Sequence, residues 1–105
     1  MTAYLIVHRR QITDSDALRR YRDGIDASIR RYGGSPLVRA DNFKVLEGDW
    51  HSGRRGDDSE PERVTIIAFP DMEGLRAWYD SADYAELKAL RQSGAVCDVV
   101  AVAGD

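Results

Sequence analysis

Apolar residues gather in three short runs: AYLIVHR at 3–9, RVTIIAF at 63–69 and AVCDVVAVA at 95–103. Each is too short for a helix of its own and rich in β-branched side chains, which predicts buried strands. In the first, Tyr4, Ile6 and His8 share one face, and Leu5 and Val7 share the other. Between the first two runs the period changes. Leu18, Tyr21, Ile25, Ile29 and Tyr32 recur three or four apart, one apolar stripe on a helix, with Arg19, Arg20, Asp23, Asp26 and Arg30 on its solvated side. Thr13-Asp14-Ser15-Asp16 supplies N-cap candidates, and Gly33-Gly34 supplies the stop. Residues 36–47 read as two short strand segments around Ala40-Asp41-Asn42. Asp71 caps a second helix carrying Leu75, Trp78 and Tyr79. Ser81 restarts it through Tyr84, Leu87, Leu90 and Arg91 until Gly94.

The order strand, helix, strand pair, strand, helix, strand predicts a ferredoxin-like βαββαβ α+β domain over residues 1–105. Its four-stranded antiparallel sheet carries both helices on one face. A difficulty follows. The three apolar runs are apolar on both faces, and two helices cover only one. A homodimer packed sheet on sheet resolves this.

Composition narrows the function. With 105 residues, 43% hydrophobic and 31% charged, the chain is ordinary globular material. A net charge of −3 gives no basic face for nucleic acid. No apolar run nears the roughly 20 residues that span a bilayer. The N-terminal MTAYLIVHRR places its apolar run before its basic residues, the reverse of a secretory signal. The single cysteine, Cys97, reads as a small core residue, and a cytoplasmic protein is the expectation. Residues 48–62, GDWHSGRRGDDSEPE, read as an exposed loop, within which Arg55-Gly56-Asp57 is a chance match to an adhesion tripeptide and His51 is solvated.

Several blocks together resemble the bacterial family known as domain of unknown function 1330, in the dimeric α+β barrel superfamily. They are Ala3-Tyr4-Leu5-Ile6-Val7, Tyr32-Gly33-Gly34, Leu37-Val38-Arg39, Val45-Leu46-Glu47-Gly48-Asp49-Trp50, Phe69-Pro70, Trp78-Tyr79-Asp80-Ser81-Ala82-Asp83-Tyr84 and Leu90-Arg91. The sequence departs from the family at Ala82, where a proline is common, and in the length of 53–62. The resemblance implies the dimeric fold and supplies no reaction. The wider superfamily holds cofactor-independent monooxygenases, isomerases, haem enzymes and ligand binders, and a fold does not choose among them.

The residues offer two kinds of chemistry. In one, Tyr4, His8, Arg39, Glu47, Trp78, Tyr79, Tyr84 and Arg91 line a pocket between sheet and helices that binds a small organic ligand, anionic or aromatic. In the other, a cofactor-independent enzyme acts on a small oxygenated acid. Arg39 then holds the anion bidentately, and His8 or Glu47 moves a proton. The bland alternatives are a structural ion pair of Glu47 with Arg39 or Arg91, a hydrogen-bonded structural His8, and a plain core made of Trp78, with Tyr79 and Tyr84 divided between core and pocket. A third function is a dimeric accessory protein that meets a partner through 48–62. No cofactor or metal is expected: two distant histidines and one cysteine lack ligand spacing, and no P-loop or G-x-G-x-x-G occurs.

Overall fold

The computed structural model describes residues 1–48 and 62–104. Strand β1 (Ala3–Ile12) leads into helix α1 (Ser15–Arg31) and strand β2 (Ser35–Ala40). Strand β3 (Arg63–Phe69), helices α2 (Met72–Tyr79) and α3 (Ala82–Gly94), and strand β4 (Ala95–Ala103) complete the chain. The strands form one sheet in the order β2-β3-β1-β4, every neighbour antiparallel.

The helix boundaries follow local chemistry. The Asp14 carboxylate accepts the backbone N–H groups of Asp16 and Ala17, occupying donors that the first turn leaves unpaired. At the other end Gly33 takes φ +82°, and the Gly33 and Gly34 N–H groups donate to the carbonyls of Arg30 and Ile29. Asp71 accepts from Gly74 N–H at 2.7 Å to start α2. Ser81 Oγ accepts from Tyr84 N–H to start α3, while its own hydroxyl donates to the Trp78 carbonyl. Ala82 is the first residue of α3, the one helical position that tolerates proline, so alanine there leaves the restart intact.

Helix α3 ends where α1 begins. The Gly94 carbonyl accepts from Thr13 and Asp14 N–H, and a Cβ on Gly94 would lie 2.9 Å from Leu18 Cγ. Glycine is what lets the two chain segments approach.

The helices cover one sheet face. Ala3, Leu5, Ile67 and Phe69 pack there against Ile25 and Ile29 of α1, Leu75 and Trp78 of α2, and Tyr84 of α3. Trp78 is fully buried, its ring 4.1 Å from that of Tyr84 and 5.3 Å from that of Phe69. Its indole N–H donates to Ser28 Oγ, and Ser28 donates on to the Ile25 carbonyl, so the core's largest side chain buries no unsatisfied donor.

Two expectations change. The strand at 3–9 runs on to Ile12, because an irregularity between Arg9 and Gln11 resets its register against β4 and lets pairing continue. Residues 36–47 give one strand, β2, instead of two segments. The chain leaves the sheet at Asp41, whose carboxylate accepts from Arg63 Nε at 2.8 Å, and Phe43 lies edge-on against the His8 ring on the opposite face from the helices. No helix among the described residues is long and apolar enough to cross a membrane.

Candidate functional site

Past the aromatic core, the helix-covered face opens into a cleft of about 190 Å³. Val7, Ile67, Leu18 and Ile25 form its apolar walls, and Thr65, Tyr21 and Cys97 add weakly polar groups. Five arginines reach it: Arg9 from β1, Arg22 from α1, Arg39 from β2, Arg63 from β3 and Arg91 from α3. Strand alternation explains most of this. Arg9 continues the Leu5–Val7 face, and Arg63 and Cys97 pair with it across the sheet. Arg39 pairs with Thr65 on the same face. A second recess shares Arg9, Leu18, Arg22 and Arg63 and adds Ile12, Ser15 and Asp41, so the cleft continues toward the start of α1.

Arg39 and Arg63 each hold a carboxylate among the described residues. Arg39 forms a two-pronged ion pair with Asp26 of α1, and that hydrogen bond holds the Asp26 carboxyl below its usual range. Arg63 grips Asp41 in the same way and lowers its pKa. Among the described residues, five arginines and these two aspartates line the two recesses. Burial, with Arg63 beside it, makes protonation of the Arg9 guanidinium less favourable than in water.

Arg91 differs from the paired arginines. Only 7% of it is exposed, and the Nε–H donates a long 3.5 Å contact to Tyr84 Oη. Its other close neighbour is the Cys97 thiol, whose pKa burial pushes up although Arg91 pulls it down. Among the described residues no carboxylate lies within ion-pair distance of Arg91, whereas Arg10, Arg19, Arg31, Arg39, Arg63 and Arg76 each have one. Tyr84 Oη also lies 3.1 Å from Tyr21 Oη, which lines the cleft. Burial, reinforced by Tyr84, raises the Tyr21 pKa well above its ordinary value.

The residues expected to share one pocket are divided by the sheet. Arg39 and Arg91 line the cleft, with Tyr84 directly behind Arg91. Trp78 is core, and Tyr79, whose ring lies under the Lys88 ammonium, packs on the outside of that core. His8 is on the opposite face, buried, with Nε2 2.6 Å from the Glu62 carboxylate. Tyr4 shares that opposite face, and Glu47 is exposed in the segment that forms no strand. Arg39 and His8 therefore do not converge, and the ion pair expected of Arg39 with Glu47 is made with Asp26 instead. Trp50, His51 and the Arg55-Gly56-Asp57 tripeptide lie outside the described residues, as does most of the 48–62 loop. Among the described residues no three His, Cys, Asp or Glu side chains come together as metal ligands.

The cleft residues that escaped sequence reasoning are Arg9, Tyr21, Arg22, Asp26, Arg63 and Cys97. A signal existed for Arg9: a basic residue in phase with Leu5 and Val7 on the face that the helices cover. For Glu62 there was none, since it ends a polar stretch with no period.

A βαββαβ chain with the sheet order β2-β3-β1-β4 and its helices on one face defines the ferredoxin-like α+β class. Within that class the chain belongs to the family described as domain of unknown function (DUF1330), which matches residues 2–105. Among solved structures it is similar to the RPA0582 protein of unknown function from Rhodopseudomonas palustris. In its methylated form the TM-score is 0.70 at 14% identity, over 99% of this chain and 81% of that one. It is also similar to SnoaB, a cofactor-independent oxygenase from Streptomyces nogalater (TM-score 0.65, 8% identity, 99% and 93% covered). A putative antibiotic biosynthesis monooxygenase from Nitrosomonas europaea gives 0.54 at 13% identity, with 98% and 89% covered. At these identities the likeness is one of fold. No curated protein matches the chain.

Proposed function

We propose that this protein binds a small organic anion, an aromatic or branched carboxylic acid, in the cleft between the sheet and α1. The observation that carries the reading is Arg91: a buried guanidinium that faces an apolar-walled space and, among the described residues, touches the neutral groups of Tyr84 and Cys97. A buried charge without a counter-charge costs several kcal/mol, and an incoming carboxylate supplies what the fold omits. The buried Arg91 charge at the cleft wall favours an anion over a cation there. Size agrees as well. An apolar cavity of about 150 Å³ holds benzene, so about 190 Å³ accommodates one ring with its acid group.

The enzymatic alternative pairs Arg39 with His8 or Glu47. The sheet stands between His8 and the cleft, and Glu47 is solvated, so the geometry supports binding over that proton transfer. Likeness in fold to oxygenases brings no residue with it. Calorimetric titration with acetate, benzoate, phenylacetate and salicylate tests the reading, using wild type and Arg91→Met. The aromatic acids are expected to bind wild type and to lose at least tenfold in the variant; binding of none of them would overturn the proposal.

The protein also pairs with a second copy of itself in this proposal. On the face opposite the helices, Val100 and Val102 of β4 are 53% and 43% exposed, beside Tyr4, Ile6, Ile66 and Val38. Among the described residues, Phe43 and Glu62 cover the His8 end of that face and this apolar surface stays exposed, of the kind that marks an association site. Light scattering is expected to give twice the chain mass for wild type and the single mass for Val100→Glu. A monomeric wild type at micromolar concentration would remove this part of the reading.

A further inference from the structure

Resting on the anion-binding reading of the cleft, we infer that Tyr21 is its second ligand-contacting donor, aimed by Tyr84, and that the inner end admits only groups that accept hydrogen bonds. The ligand class is thereby an ionised carboxylate or an enolate, and carboxamides and amines are rejected.

The argument follows the hydrogens. A guanidinium only donates, so the Arg91 Nε–H is directed at a lone pair of Tyr84 Oη. Tyr84 is 1% exposed and its own hydroxyl hydrogen needs an acceptor. Among the described residues the oxygen within reach is Tyr21 Oη, at 3.1 Å. Tyr84 therefore donates to Tyr21, and the Tyr21 hydrogen is left to turn into the cleft that this residue lines. Arg91 brings its remaining N–H groups to the same place, one hydrogen bond from the same Tyr84 oxygen. What a ligand meets there is a pair of donors, Tyr21 O–H and Arg91 N–H.

A carboxylate is acceptor-only when ionised and satisfies both. An amide of the same shape offers one acceptor oxygen, and its NH₂ group cannot accept from the Arg91 guanidinium, which only donates. Buried polar groups left unpaired in this way are what produce strong discrimination. Tyr84 touches no ligand and is a positioning residue: it sets the Tyr21 rotor and holds Arg91.

Titration of sodium benzoate and of benzamide into wild type, Tyr21→Phe and Tyr84→Phe tests this. Wild type is expected to prefer benzoate by tenfold or more. Loss of one charge-assisted hydrogen bond in Tyr21→Phe should weaken benzoate about tenfold while leaving benzamide unchanged, so the preference collapses. Tyr84→Phe should lower the same ratio, a change that general loosening of the core would not single out. Benzoate bound as tightly by Tyr21→Phe as by wild type overturns the role of Tyr21 and leaves the cleft reading standing. Benzoate bound by neither overturns both. Hydroxyl-proton exchange in the wild type gives a second readout that needs no variant to fold. The Tyr84 hydroxyl should exchange more slowly than that of Tyr21, which faces the cleft, and the reverse order overturns the inference.

Discussion

The two ends of the helix-covered sheet face are built on opposite principles. At one end Phe69, Trp78 and Tyr84 stack with Ile29 and Leu75 in a filled core whose single indole N–H has its partner in Ser28. At the other, the same strands carry Arg9, Arg63 and Cys97 in place of apolar residues, and the space above them is open. One end puts every group where it is satisfied. The other buries Arg91 against neutral neighbours. The filled end serves stability and the hollow end serves a ligand, and Tyr84 belongs to both: its ring packs on Trp78 and its hydroxyl holds Arg91.

The largest effect that separates them belongs to the filled end. Trp78→Ala removes a fully buried indole and leaves the Ser28 hydroxyl without its donor. A loss of about 3 to 5 kcal/mol is expected in urea unfolding. A loss below about 1 kcal/mol would mean that the aromatic stack does not hold the helices to the sheet. The hollow end should behave in the opposite sense. Arg91→Met replaces a buried charge by an apolar side chain of similar length, and the ligand-free protein should become more stable, by about 1 kcal/mol or more, even as benzoate binding is lost. A destabilised Arg91→Met would mean that Arg91 is structural and that its neighbours already satisfy it.

That opposition explains what could be read from the chain. Strands, helix caps and the restart at Ser81 were legible, because each depends on a local pattern of two to four residues: Asp14, Asp71 and Ser81 cap where they stand. Trp78 as core was legible for the same reason. Alternation also showed that His8 faces away from Leu5 and Val7. What it did not show is which face the helices take, and so His8 was grouped with Arg39, from which the sheet separates it. Asp26 sat among solvated residues of α1, and its pairing with Arg39 spans two elements with no sequence period linking them. Residues 43–47 had strand composition, but the Asp41–Arg63 pair and the contact of Phe43 with His8 take that segment off the sheet. Local rules gave the elements, and the cleft arises from long-range contacts that they do not encode.

A smaller effect lies at alkaline pH. Burial raises the Tyr21 pKa in the folded protein above the value of about 10 for an unfolded chain. Below pH 10 both states hold the proton, and the contribution is constant. Above it the unfolded chain releases the proton while the folded protein keeps it, so stability falls until the folded-state pKa is passed. Tyr21→Phe should flatten that part of the stability curve. Equal alkaline slopes in the two proteins would show that Tyr21 ionises as a solvated phenol.

The smallest effect comes from the pair that closes the side of the cleft. Arg39 and Asp26 are both more than a third exposed, so solvent screens their attraction, and Asp26→Asn should cost less than about 1 kcal/mol at neutral pH. The sign of its pH dependence is fixed by the depressed Asp26 pKa, caused first by the hydrogen bond from Arg39. The stabilisation is fully present above the unfolded value of about 3.9 and is lost as pH falls through the folded one. The variant should therefore differ from wild type at pH 7 and converge with it in strong acid. The same substitution removes one of the negative charges facing the five arginines, which raises the positive potential of the cleft. Benzoate should bind Asp26→Asn more tightly, by about twofold at low salt, with the gain fading as the Debye length shrinks toward 3 Å near 1 M. Weaker binding by the variant would show that Asp26 acts by holding Arg39 in place for the ligand, and the two-pronged pair would then belong to the site and not to its wall.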